Sequence, residues 1–192
     1  MSVDAWEPWH YRCQAIAAAR HALSLRMASA SARGDHAAMP VIFRRGTAAD
    51  ARAAAELWLR ARKAAIDMIP PYVHRDDEVR AWFASHVVRN TALWVAEDPP
   101  GALVGILVLD GPWLDQLYVE PTMTGRGIGA SLVELAKRER PTGLRLWTFA
   151  SNAGAQRFYE RHGFVETRRT DGDNEEGAPD ILYVWGGHGG AR

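Results

Sequence analysis

The chain of 192 residues has a single cysteine, no net charge and no long apolar run. Cys13 alone can close no internal disulfide, and it lacks the second thiol of a CxxC metal or redox site. A reducing, cytoplasmic setting is the expectation that follows. Lys and Arg number 23, and so do Asp and Glu. That balance argues against gripping nucleic acid or an anionic membrane by bulk charge. The longest apolar runs, such as Ala102 to Leu109, fall far short of the roughly 18 residues that span a bilayer. No cluster of His, Cys, Asp and Glu has metal-ligand spacing, so no metal is expected. What is present is a 47% apolar fraction, enough for a core, in a length that suits one domain.

The first 38 residues differ from the rest. Residues 11–38 are rich in Ala, Ser and Arg, without strand-like alternation. Ile16, Leu23 and Met27 have helical spacing, and Ser29, Ser31 and Gly34 read as a linker. A transit peptide and an added helix are alternatives, but the preferred reading is a poorly ordered extension over 1–38. The domain is expected over 39–187, with a short tail at 188–192.

From Val41 onward the pattern sharpens. Val41 to Arg45 reads as a strand. Thr47 and Asp50 have capping-box spacing ahead of a helix to about Ile66. Pro70-Pro71 breaks the chain, and Asp76, Asp77 and Glu78 then favour a helix start, running to about Val88. Three strands follow at Ala92–Ala96, Ala102–Leu109 and Trp113–Val119, separated by Pro/Gly turns. A helix to about Arg138, a strand at Leu144–Phe149 and a helix at Ala153–His162 come next. Phe164–Arg168 and Ile181–Trp185 are the last strands. The order β-α-α-β-β-β-α-β-α-β-β predicts an α/β (α+β) fold, with a mixed sheet and helices on both faces.

Two segments carry chemistry. Thr124-Gly-Arg-Gly-Ile-Gly-Ala130 lies between a strand and a helix. Free N–H groups and the helix dipole there attract phosphate, and glycine lets the backbone come close. By itself the segment is equally a tight turn into a helix. There is no Gly-Lys-Ser/Thr, which excludes a P-loop, and the spacing is not that of a dinucleotide fold. The second segment is Ser151-Asn-Ala-Gly-Ala-Gln-Arg-Phe-Tyr-Glu-Arg-His-Gly-Phe164.

With both segments in place, the region from Val41 to Trp185 resembles the GNAT superfamily, the acyl-CoA-dependent N-acetyltransferases. Gly127 and Gly129 match its pyrophosphate motif. Asn152, Ala155, Phe158, Tyr159, Gly163 and Phe164 match in order and spacing. Thr124 departs from the family, which has Gln or Arg there. The resemblance implies a mostly antiparallel seven-stranded sheet and acetyl-CoA as cosubstrate. It implies that backbone groups of Leu117, Tyr118 and Val119 meet the pantetheine arm, one N–H near Leu117 acting as an oxyanion donor. Thr124, Gly125, Arg126, Gly127, Ile128, Gly129 and Ala130 would hold the pyrophosphate. Asn152 would bond the pantetheine arm, or cap its helix, or both. Tyr159 would protonate the departing thiolate, or simply pack beside Phe158.

An alkylammonium must lose a proton before it attacks, so a base is needed. Asp115 is the candidate, by simple alternation on one strand face with 113 and 117. The reading that it only orients the acceptor stands equal. In the family, the loops Met68–His74 and Thr170–Asp180 line the acceptor pocket. The second holds Asp171, Asp173, Glu175, Glu176 and Asp180, which would draw a cation unless they only solvate the loop. The expected activity is acetyl transfer to a primary amine of a small molecule. A protein N-terminal or lysine acetyltransferase and a non-catalytic CoA-binding sensor are the alternatives. No nucleic-acid or membrane partner is expected, and the family admits a homodimer.

Overall fold

A computed structural model describes residues 40–186. The extension read at 1–38 and the tail at 188–192 lie outside the described residues. No helix among the described residues is long and apolar enough to cross a membrane, and no group of three or more potential metal ligands is found among them.

The elements are β1 (Ile42–Arg45), α1 (Ala51–Ala64), α2 (Asp76–Trp82), α3 (Val88–Asn90), β2 (Ala92–Glu97), β3 (Leu103–Asp110) and β4 (Trp113–Val119). They continue with α4 (Ile128–Glu139), β5 (Gly143–Phe149), α5 (Ala153–Arg161), β6 (Val165–Thr170) and β7 (Asp180–Gly186). The expected order is found. One difference lies between α2 and α3, where Phe83–Val87 forms a π-helical turn. A π turn spends one residue more per turn, so the register of the predicted single helix shifts there.

The seven strands lie in the order β1-β2-β3-β4-β5-β7-β6. Every neighbouring pair is antiparallel except β4 and β5. Those two are parallel and pair only at Trp113 and Arg145. Beyond that rung they part, which leaves backbone groups of β4 and β5 without a neighbouring strand inside the sheet.

Strand alternation sorts the core into two layers. Leu107, Leu117 and Val119 pack with Ile128 and Leu132 of α4 and Tyr159 of α5. Ile106, Val108, Tyr118 and Phe149 pack on the other face with Leu57 and Trp58 of α1 and with Phe83. Each fully buried side chain of this size contributes about 1.5–3 kcal/mol. Gly105 lets α4 sit close. A Cβ at Gly105 would stand 3.1 Å from side-chain atoms of Ile128 and Leu132.

Asp115 breaks the alternation assumed from sequence. Leu109 faces Leu114 and Val108 faces Gln116, so Asp115 is an extra residue with no opposite number on β3. In consequence Leu114 and Leu117, three apart, both belong to the α4 layer. The expectation that 113, 115 and 117 share one face is therefore corrected: a β-bulge intervenes, and bulges re-aim side chains.

The capping box is present: the Thr47 N–H donates to Asp50 Oδ2 at 2.8 Å. Asp50 is buried and also accepts from Arg44, which reaches Glu97 of β2. This network ties β1 to the start of α1 and to β2. Its hydrogen bonds hold the Asp50 carboxyl well below the usual carboxylate range, with Arg44 the main cause.

Candidate functional site

The glycine segment turns into a helix, as its place between strand and helix suggests. Gly127 is the N-cap of α4 at φ 83°, and Gly125 stands at φ 77°, both in the left-handed region that favours glycine. Ile128, Gly129 and Ala130 follow as the first turn, whose N–H groups have no partner inside the helix. A Cβ at Gly129 would meet Phe158 of α5 at 3.5 Å, so α4 and α5 approach closely there. The Thr124 hydroxyl donates to the Pro121 carbonyl at 3.1 Å. It closes the turn before α4, a different job from that of a long Gln or Arg.

Beside this helix start lies a cleft of about 460 Å³. Val119, Thr124, Gly125, Gly127, Ile128, Gly129 and Ala130 line it, all expected from sequence. So do Met123, Gly154, Arg157, Phe158, Arg161 and His162, which sequence reasoning missed. Most of these missed residues lie on one face of α5. The spacing Gly154, Arg157/Phe158, Arg161/His162 is the i, i+3, i+4 pattern and was the available signal. Nδ1 of His162 donates to the Phe158 carbonyl at 2.7 Å, which leaves Nε2 as the other ring donor or acceptor. The cleft thus has a glycine-rich wall and a basic wall, as an anionic ligand requires.

Arg126 is exposed and is not among the lining residues. Leu117 and Tyr118 are buried in β4 behind the cleft. The Tyr118 ring lies 5.7 Å from that of Trp58 of α1. Asp115 is half-buried at the bulge and does not line the cleft.

Asn152 and Tyr159 lie deeper. Oδ1 of Asn152 accepts from the Ala155 N–H at 3.0 Å, which makes it the N-cap of α5. Its Nδ2 is buried without a hydrogen-bond partner, and so are the Tyr159 hydroxyl and the Thr148 hydroxyl. Tyr159 packs edge-on against Phe158 and Phe164. Burial pushes its phenol well above the ordinary range, and proximity to Tyr118 adds to that, so it keeps its proton at neutral pH. A buried polar atom without a partner costs about 1–3 kcal/mol. Orphans along β5 and α5, beside a basic glycine-walled cleft, suit an elongated ligand with amide groups and a phosphate end. Acetyl-CoA has that chemistry.

On the other side of the sheet, the acidic loop before β7 is turned inward. Glu176 meets Arg62 of α1 at 3.0 Å, and Glu175 meets His74 at 2.8 Å. Asp180 accepts from Thr170 and from Asn174. Arg62 is 3% exposed, donates to the Pro70 carbonyl and lies over the rings of Trp58, Tyr72 and Phe149 at 5.3–5.7 Å. The expectation of five acids facing an incoming cation is corrected in part: Glu175, Glu176 and Asp180 are engaged within the protein, while Asp171 and Asp173 are exposed on the loop. Glu175 and Glu176 hold two loops together.

A sheet opened between two parallel strands, with a glycine-started helix beside the opening, is the arrangement that the resemblance to acyl-CoA-dependent acyltransferases implies. Residues 89–166 match the family described as "Acetyltransferase (GNAT) domain". The chain is similar to peptidyl-lysine N-acetyltransferase YjaB of Salmonella typhimurium, with 36% identity over 90 residues, 47% of this chain and 61% of that one. It thus spans about three-fifths of that relative. It is 28% identical to YjaB of Escherichia coli over 138 residues, 71% of this chain and 90% of that one. The solution structure of apo-form YjaB from E. coli superimposes with a TM-score of 0.65 at 28% identity, over 78% of this chain and 99% of that one. For the fold alone, yncA of S. typhimurium, solved with acetyl-CoA, gives a TM-score of 0.56 at 19% identity, over 79% and 96% of the two chains. Residues 89–166 thus match a GNAT acetyltransferase domain, and the chain shares the fold of these structures.

Proposed function

We propose that the protein transfers the acetyl group of acetyl-CoA directly to the side-chain amine of a peptidyl lysine. The observation that carries the cosubstrate is the glycine-walled cleft, together with the buried, partnerless donors Asn152 Nδ2 and the Tyr159 hydroxyl, which do not line it but belong to α5 and its cap, the helix that forms its basic wall. The thioester supplies an activated acyl group with a thiolate leaving group. First-turn N–H groups at Ile128, Gly129 and Ala130 bind the pyrophosphate, with Thr124, Gly125 and Gly127 giving the backbone its approach. Arg157 and Arg161 add positive charge to the same wall, while exposed Arg126 supplies long-range attraction only. Backbone groups of Leu117, Tyr118 and Val119 pair with the pantetheine arm where β5 has parted from β4. The N–H near Leu117 steadies negative charge on the thioester oxygen. Asn152 donates through Nδ2 while Oδ1 stays on the helix cap.

Tyr159 holds the proton that the departing sulfur needs, and burial keeps it in place until transfer. Asp115 accepts the proton from the incoming ammonium, through water. The bulge sets the half-buried Asp115 off the regular strand face. A lysine acceptor is favoured over the small-molecule amine expected from sequence. Two of the five loop acids, Glu176 and Glu175, are committed to Arg62 and His74, and two relatives carry the name peptidyl-lysine N-acetyltransferase.

Calorimetric titration with acetyl-CoA, followed by thiol release on lysine peptides and on small amines, tests this reading. Binding and thiol release on peptides are expected. Binding with no thiol release on any acceptor points to a sensor, and no binding removes the cosubstrate itself.

A further inference from the structure

A second cleft, of about 390 Å³, opens between the end of α1, the exit of β5 at Ala150–Ser151, and the turn before β7. Its walls are mainly apolar: Ile66, Met68, Ile69, Pro70, Ala178 and Pro179. Ala150 and Ser151 lead straight into Asn152, so the cleft adjoins the candidate active site along the backbone. Its two flanking loops are pinned by the Arg62–Glu176 and His74–Glu175 pairs. The shape is therefore built in advance of any acceptor, which spares ordering cost on binding.

One charge sits in this lining, Asp67. Its side chain is exposed and makes no ion pair among the described residues, in contrast to Glu175 and Glu176. Ile66 beside it is half exposed, an apolar rim next to a single carboxylate. An apolar wall with one negative group suits a segment that presents an apolar side chain and a cation side by side.

We propose that this cleft reads the residues flanking the acceptor lysine. An apolar side chain fills the space between Ile69, Ala178 and Pro179, and Asp67 favours a basic neighbour and disfavours an acidic one. The inference rests on the peptidyl-lysine reading and adds the sequence that the lysine must sit in. Apolar burial supplies most of the preference, because an exposed ion pair is worth little.

The test is a panel of lysine peptides with Leu, Gly, Arg or Glu at the flanking positions, read as kcat/KM. Leu over Gly is expected to gain about tenfold, and Arg over Glu about fivefold. Asp67→Lys is expected to invert the Arg/Glu order, and Ala178→Leu to bring the Leu/Gly ratio near one. Calorimetric affinity for acetyl-CoA, unchanged in both variants, verifies that they fold. A flat panel from an enzyme that acetylates peptides overturns the cleft assignment and leaves the peptidyl-lysine reading standing. Flank preferences that survive both substitutions overturn it as well. Acetylation of small amines with no peptide touched removes the reading beneath it, and the proposal with it.

Discussion

On the α4–α5 side, buried donors on Asn152 and Tyr159 stand without partners. On the α1–β7 side, Arg62, His74, Glu175 and Glu176 have found each other. The first region keeps its hydrogen-bonding capacity open at a cost in stability. The second pairs its charges, although Arg62 Nε is itself without a hydrogen-bond partner, and leaves an apolar groove with one carboxylate. Under the proposed function, a ligand of constant chemistry would justify standing orphans, because the same groups would meet the same atoms in every turnover. An acceptor of variable sequence is better met by a rigid, mostly apolar surface, where specificity comes from shape and a single charge.

The largest effect that would break this contrast is expected at Tyr159. Tyr159→Phe should lower the turnover number about a hundredfold or more and leave acetyl-CoA affinity nearly intact. The same substitution should raise the unfolding free energy of the ligand-free protein by about 1 kcal/mol, because a buried orphan is removed. Steady-state kinetics and urea unfolding read the two effects. Unchanged turnover ends the acid role, and lost stability means the hydroxyl has a partner in the free protein.

Next comes Gly127→Val. A Cβ there meets no protein atom, so packing is not the issue. The positive φ strains a β-branched residue, and the side chain stands where the backbone must meet the pyrophosphate. Acetyl-CoA affinity should fall about a hundredfold, as titration would show. Gly129→Ala, whose Cβ makes only ordinary contact with Phe158, should cost far less.

The acceptor side predicts the opposite pattern. Glu176→Ala leaves the Arg62 guanidinium buried without its carboxylate, and stability should drop by about 2–3 kcal/mol. Acetyl-CoA affinity should hold. A thermal melt unchanged from the parent would show that the Arg62–Glu176 pair is not what holds the loops.

The smallest effect concerns acid stability at the β1–α1 junction. Asp50 has its folded-state acidity pushed below the ordinary value by Arg44, so its contribution is complete above the ordinary carboxylate range. It drains away as pH falls below about 4. Asp50→Asn should flatten that part of the stability–pH curve in urea titrations between about pH 3 and 6. A curve parallel to the parent's would assign the acid sensitivity elsewhere, for instance to Glu97.

Much of this was legible in residue order. Trp113–Val119 begins and ends as a strand where its flanking Gly-Pro and Pro signals put it, and Gly127 opens α4. Asn152 caps α5 as its type suggests. What sequence concealed has a common physical character. The bulge at Asp115 exists only relative to the register of β3. The inward turn of Glu176 depends on Arg62, 114 positions away. Local propensity carries no record of either. Arg157 and Arg161 were within reach, because helical spacing puts them on the Gly154 face of α5.

The lone rung between Trp113 and Arg145 has a consequence for how the chain is assembled. Strands β1–β4 come from residues 42–119 and β5–β7 from 143–186, so each half of the sheet is one uninterrupted stretch of polypeptide. Every other ladder closes within its own half. The seam in space is also a seam in sequence, with α4 and the Pro141–Thr142 turn as the strap across it. The halves are therefore held together chiefly by the core that Leu117, Leu132, Leu146 and Tyr183 share, and hardly at all by strand-to-strand hydrogen bonds.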